Sequence, residues 1–298
     1  MEKIEVKVAL SINCQLGEGI HWDRLRNSLL FVDIIKNTVY SFDIDTSVIN
    51  RKVLTEPIGW VLPIANSPKL LLGLKSGLAV LDDIQDSGQI EWVDRSFPND
   101  PEQRLNDAKA DRFGRLWYGS ISTIDESRPV GRLARMSFIN NQLDIIDEGY
   151  EVPNGPAFNK SQTVMLHNDS RKQLTYRFDI DENTGDVLNK RIWKKYNLDE
   201  GFPDGMCFDT NENIWIAHWG VGKVVQYNIV GEILTQVQLP VKNVTNICFG
   251  GANLDRIFVS TASGKLGNET AEDSEFDGAI FEIFGVNAKG IENSLPVI

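Results

Sequence analysis

The chain predicts an all-β protein, a six-bladed β-propeller forming a single closed domain over residues 1–298. Three observations predict it. The apolar residues fall in short strand-length runs and nowhere in a capped helical pattern. The runs recur at steps of 41 to 50 residues. Six units of that length account for the whole chain.

The strand-like runs include Ser28–Asp33, Thr38–Asp43, Leu116–Ser120, Ile214–His218, Lys223–Ile229 and Arg256–Ser260. They are rich in Val, Ile, Phe, Tyr and Trp and are punctuated by Gly, Asn and Asp. The repeat is an apolar run, an anchoring polar or glycine residue, a turn, and a second apolar strand. It reads Ile20-His21-Trp22-Asp23 before Leu29–Val32 and Ala108-Lys109-Ala110-Asp111 before Leu116–Gly119. It returns as Pro156-Ala157-Phe158-Asn159, Met206-Cys207-Phe208-Asp209 and Ile247-Cys248-Phe249-Gly250, each followed by its strand. A weaker copy ends at Asn66 before Leu70–Leu74. Anchors at 23, 66, 111, 159, 209 and 250 have the spacing of propeller blades. A two-sheet sandwich would have the strands without the repeat. The run Glu5–Leu10 is expected to pair with Ala279–Phe284 in the last blade, closing the ring and removing exposed strand edges.

Composition narrows the function. With 42 acidic against 30 basic residues, the net charge of -12 repels nucleic acid and anionic membranes, so neither is an expected partner. Met1–Leu10 alternates charged and apolar residues without a signal-peptide pattern, and no apolar run is long enough to span a bilayer. A cytoplasmic location is therefore expected. Three scattered cysteines, three histidines and the lack of CxxC or HExxH argue against a thiolate or histidine zinc site. A bound metal would take oxygen ligands.

Five residues before each anchor stand Glu18, Val61, Asn106, Asn154, Asp204 and Thr245. Equivalent positions of successive blades face one another around one mouth of the channel. Two carboxylates and two carboxamides thus converge at one register. Such a set suits one divalent cation (Ca²⁺, Zn²⁺, Mn²⁺ or Mg²⁺), which relieves the repulsion between the carboxylates. The neighbouring Gly17, Gly19, Gly155 and Gly205 let the backbone approach a ligand. Any one Asn-Gly or Asp-Gly pair is also an ordinary turn signal; four at one register favour a site. His21, Cys207 and Cys248 share an otherwise apolar register and read as core. His167 and His218 read as satisfied structural histidines, and Trp117 and Trp215 as blade packing.

The segments Leu16-Gly17-Glu18-Gly19, Arg104-Leu105-Asn106-Asp107, Asn154-Gly155, Pro203-Asp204-Gly205-Met206, Gly222-Lys223-Val224-Val225 and Cys248-Phe249-Gly250-Gly251 together resemble the regucalcin and gluconolactonase (senescence marker protein) family, in order from about Leu16 to Ser263. The resemblance implies a six-bladed propeller with one divalent metal held by Glu18, Asn154 and Asp204. It further implies hydrolysis of a small-molecule sugar lactone, with Asp204 as general base and Arg104 and Asn106 contacting substrate. Where animal members carry a substrate-contacting glutamate, this chain has Thr123. A phosphotriesterase-like hydrolase needs similar parts, and a calcium-binding regulatory protein or an interaction platform is compatible with the same fold.

Overall fold

A computed structural model describes residues 3–85, 88–266 and 274–298. It contains six four-stranded antiparallel sheets arranged as the blades of a propeller. Blade 1 runs Gly17–Asp23, Ser28–Asp33, Thr38–Asp43 and Ile49–Val53 from the inside outward. Blade 2 begins at Ile58–Pro63, blade 3 at Gln103–Ala110, blade 4 at Pro153–Phe158, blade 5 at Phe202–Phe208 and blade 6 at Val244–Gly250. Each innermost strand packs against those of both neighbouring blades, so the six form a ring. The fourth strand of blade 6 is Glu5–Leu10, paired antiparallel with Ile280–Phe284, as the sequence predicts. Among the described residues the only helical element is a single 3-10 turn at Leu198–Glu200.

Burial falls from the axis outward. Every residue of Gly17–Asp23 and Ser28–Asp33 is buried, whereas Ile49–Val53 is largely exposed. Both faces of an inner strand are covered by adjacent blades. The second strand, Ser28–Asp33, therefore carries the continuous apolar run Leu29–Val32 rather than an alternation.

The repeat has a local cause. Asp23 Oδ1 accepts from the amides of Leu25 and Arg26, and Asp111 Oδ1 from those of Phe113 and Arg115. Asp209 Oδ1 takes the same pair as Asp111, from Asn211 and Asn213, in blade 5, and Asn159 Oδ1 takes the later amides of Thr163 and Val164 in blade 4. An Asp or Asn at the anchor closes the turn that its own backbone opens. Asp111 Oδ2 and Asp209 Oδ2 also accept from the indoles of Trp117 and Trp215, at 2.8 and 3.1 Å. The two tryptophans are blade packing tied to the turn.

Blade 2 corrects the sequence reading. Its first turn spans 64–69, against 24–27 in blade 1, so a count of five back from Asn66 stops short of the mouth. The mouth end of that strand is Ile58. Val61 lies inside the apolar cluster with Leu30, Ile58 and Leu72.

The histidines divide. His218 is satisfied as expected, with Nδ1 2.7 Å from the Glu200 carbonyl and Nε2 3.0 Å from the Tyr227 hydroxyl. His167 is buried but neither ring nitrogen has a partner among the described residues, and its edge contact is with Tyr150 at 4.8 Å. The aromatic contact and the surrounding burial hold it in place instead of hydrogen bonds.

The far end of the channel is crossed by the segment after Val286. Thr210 N donates to Lys289 O, Gly290 N to Leu254 O, Ala65 N to Pro296 O and Val297 N to Gly114 O. With Arg24–Glu292 and Gln162–Ser294, this strap is fastened to all six blades. It covers a small cavity of about 40 Å³ lined by His21, Lys109, Cys207 and Cys248.

Candidate functional site

At the opposite mouth Glu18, Arg104, Asn106, Asn154 and Asp204 line one cavity of about 750 Å³, together with Thr123. All five residues singled out by sequence are therefore brought together. Each strand carrying them has an irregular register just beyond the mouth, between Glu18 and His21, Leu105 and Ala108, Asn154 and Ala157, and Pro203 and Met206. A bulge breaks the pleat there and re-aims the side chains toward the axis. Thr245, at the same register in blade 6, points elsewhere: its hydroxyl donates to Gly17 O and meets Ser260 Oγ.

Two buried aspartates pin the entry of the strands that carry Glu18 and Asn154. Asp33 accepts from the amides of Gln15 and Leu16 at 2.8 and 3.2 Å. Asp169 accepts from those of Glu151 and Val152 at 3.2 and 3.1 Å. In blade 5 the carbonyl of Asp204 accepts from Asn168 Nδ2 at 2.6 Å. The backbone beneath Glu18, Asn154 and Asp204 is thus fixed by a polar side chain from another strand.

The side chains form a directed chain of hydrogen bonds. Arg104 Nη1 donates to Asn106 Oδ1 at 2.7 Å and to Leu105 O at 3.0 Å. Asn106 Nδ2 donates to Asn154 Oδ1 at 2.9 Å and to Pro153 O at 2.8 Å. Asn154 Nδ2 donates to Ser170 Oγ at 2.8 Å. Glu18 Oε2 accepts from Gly19 N at 3.1 Å. Asp204 Oδ1 is buried and has no hydrogen-bond partner among the described residues.

Sequence reasoning missed Asp107 and Asn246. The signal was one residue further along the repeat, where four before the anchors stand Gly19, Asp107, Gly155, Gly205 and Asn246. The glycines make room for the two longer side chains. Asp107 Oδ2 accepts from Gly155 N at 2.9 Å and from Asn246 Nδ2 at 3.5 Å. A Cβ on Gly205 would stand 2.1 Å from Asn246 Cγ. Asp107 adds a third buried carboxylate to the site.

The electrostatics follow from that crowding. Burial raises the Asp204 carboxyl well above the usual range, and the charges of Glu18 and Asp107 push it further. Glu18 is raised by burial and then by Asp107. Burial also raises Asp107, opposed first by the Lys109 ammonium. Burial disfavours the Arg104 cation, while Glu126, Glu18 and Asp204 favour it.

These residues fit a hard divalent cation. Among the described residues no three His, Cys, Asp or Glu side chains form a ready-made ligand set. The candidates here are two carboxylates and a carboxamide, all oxygen donors, with the unpartnered Asp204 Oδ1 among them. A cation is the natural counterion for mutually repelling buried carboxylates.

The fold and the site together define a six-bladed propeller with an oxygen-donor pocket at one mouth of its channel. The chain belongs to the SMP-30/Gluconolactonase/LRE-like family, which it matches over residues 16–263. It is 29% identical to human (Homo sapiens) regucalcin over 299 aligned positions that cover 98% of both chains. Among solved structures it resembles a luciferin-regenerating enzyme, with TM-score 0.92 and 25% identity over 99% of this chain and 100% of that one. It shares its fold with a regucalcin from Agrobacterium tumefaciens, described as a calcium-binding protein, with TM-score 0.88 and 21% identity over 99% and 98% of the two chains.

Proposed function

We propose that the chain hydrolyses the ester ring of a sugar lactone at the 750 Å³ mouth cavity, with one divalent cation held by Glu18, Asn154 and Asp204. Membership of a family that includes gluconolactonases supports the reaction class. The observation that carries the reading is Asp204 Oδ1, a buried carboxylate oxygen without a partner among the described residues, next to Glu18 and in a cavity that Arg104 also lines.

A bound divalent cation supplies Lewis acidity toward the lactone carbonyl and lowers the pKa of nearby water. Asp204 takes the proton of the attacking water. The new bond joins water oxygen to the carbonyl carbon, and the ring acyl–oxygen bond breaks. Asp204 then returns its proton to the departing ring oxygen, leaving a hydroxy acid. Arg104 orients the ring by donating to its oxygens, and Asn106, whose Nδ2 hydrogens are both committed, accepts from a ring hydroxyl through Oδ1.

The test is turnover of gluconic, galactonic, xylonic and arabinonic lactones, beside a phosphotriester, by metal-stripped protein with each cation restored in turn. Lactone hydrolysis that returns with one cation is the expected result. Phosphotriester turnover with every lactone ignored would replace the reading. Stoichiometric cation binding without any turnover would make this a cation-binding protein instead.

A further inference from the structure

At the end of the channel opposite the mouth, the register two residues before the anchors carries His21, Lys109, Cys207 and Cys248 in blades 1, 3, 5 and 6. The sequence reads His21 and the two cysteines as core. The structure sets all four side chains around the cavity of about 40 Å³ beneath the strap, with Leu62 and Ala157 closing the wall in blades 2 and 4. A single water needs only about 10–15 Å³ of such space, so the cavity has room for an occupant.

Two polar groups of this layer lack partners. His21 is 2% exposed, yet neither ring nitrogen has a hydrogen bond among the described residues. The half-buried Lys109 forms no hydrogen bond or ion pair among them either. Asp107, which feels the Lys109 charge, spends its oxygens on the amides of Ala108 and Gly155. Glu292, in the cavity wall, pairs with Arg24 at 3.1 Å.

The four side chains share one polarity. Burial, and then the Lys109 charge, hold the His21 pKa down at about 3, so its imidazole is neutral and carries one N–H. Burial keeps the Cys207 and Cys248 thiols protonated. Together they bring an ammonium, an imidazole N–H and two S–H groups: one positive charge and no negative one. A largely buried cation without a counterion is unfavourable, and a metal ion in this cavity would face the Lys109 charge. An anion little larger than water answers both the charge and the space.

We propose that this cavity binds one halide-sized monovalent anion, with Lys109 as its counter-charge and His21 as an N–H donor. The anion bridges blades 1 and 3 beneath the strap and holds that end of the channel together. The site is separate from the mouth cavity and does not depend on the lactonase reading.

The test uses bromide, which resembles chloride and scatters X-rays anomalously. The full chain is freed of halide by dialysis against methanesulfonate and melted in rising bromide at constant ionic strength. Linkage gives a melting temperature that climbs about 2–4 °C per tenfold of bromide above the dissociation constant. Lys109→Met, whatever its own stability, should show a much flatter dependence. Parallel slopes, or no slope in the parent, would overturn the proposal. Crystals of the parent grown in bromide should show one anomalous peak between Lys109 Nζ and the His21 ring. Water density alone at that place would also refute it, and this arm needs no variant to fold. A peak without the slope in solution would be binding at crystal concentration only, and the site would fall.

Discussion

Asn106 Nδ2 donates to Asn154 Oδ1 at 2.9 Å, joining the inner strands of blades 3 and 4 at the mouth of the channel. Because Arg104 must donate to an oxygen of Asn106, the amide of Asn106 has one orientation, and it imposes one on Asn154. Arg104 is thereby connected through one carboxamide, that of Asn106, to Asn154, the proposed metal ligand.

Asn106→Leu removes that connection at nearly constant volume. Asn154 loses the partner that holds its oxygen, and partners of this kind are worth about 10- to 100-fold in metal affinity. Titration of stripped protein should show that loss, with KM for the best lactone rising in parallel. Unchanged cation affinity would detach Asn106 from the metal site.

Asp204→Asn keeps the shape and an oxygen donor but removes the base and one negative charge. A positioned base contributes about 10² to 10⁴ in rate. Activity should fall by that range. In stripped protein the melting temperature should hold or rise, because the repulsion of Asp204 by Glu18 and Asp107 is relieved. Activity within a few-fold of the parent would remove Asp204 from the chemistry.

Gly205→Ala places a methyl where Asn246 already stands, 2.1 Å from its Cγ. Overpacking of a tight interior costs about 1–3 kcal/mol. The urea midpoint should fall accordingly, and Asn246 should lose its contact with Asp107. A parent-like midpoint would show that the channel accommodates the extra atom.

His167 makes stability pH-dependent. Burial holds its pKa down at about 3, from an ordinary 6.5. Between those values the unfolded chain binds a proton that the folded one refuses. Stability is therefore full above pH 6.5 and is lost as pH falls toward 3, by about 1.4 kcal/mol per pH unit for this group. His167→Phe keeps the Tyr150 contact without the titration. Its unfolding free energy between pH 7 and 5 should decline less steeply than the parent's; parallel slopes would refute the assignment.

The strap after Val286 seals the small cavity that holds Cys207 and Cys248, both of whose thiols are pushed up by burial. Both should resist a thiol reagent at pH 8, since the thiolate is the reactive form. Truncation after Ala288, in protein shown by circular dichroism to remain folded, should make them react. Equal resistance would mean that the strap does not guard this end.

Much of this molecule was legible in the sequence because its information is local. Four blades close their first turn with an Asp or Asn, so anchors such as Asp111 and Asp209 recur, and counting back from them reached Glu18, Asn106, Asn154 and Asp204. The count failed in blade 2, where a longer turn after Pro63 moved the mouth residue from Val61 to Ile58. His167 was legible as buried but not as unpartnered, because its environment is built by Tyr150 on another strand.

The sequence by itself determined the number of blades, their turns and the register that carries the oxygen donors, since each depends on residues close along the chain. Only the tertiary structure decided what those donors meet. Asp107 and Asn246 touch across 139 positions, through the space left by Gly155 and Gly205. Glu126 comes to the cavity because its loop is fastened to Glu102. Such contacts exist only once Glu5–Leu10 pairs with Ile280–Phe284 and the ring is closed. Ring closure, and not any local pattern, brings the ends of distant strands to a common axis.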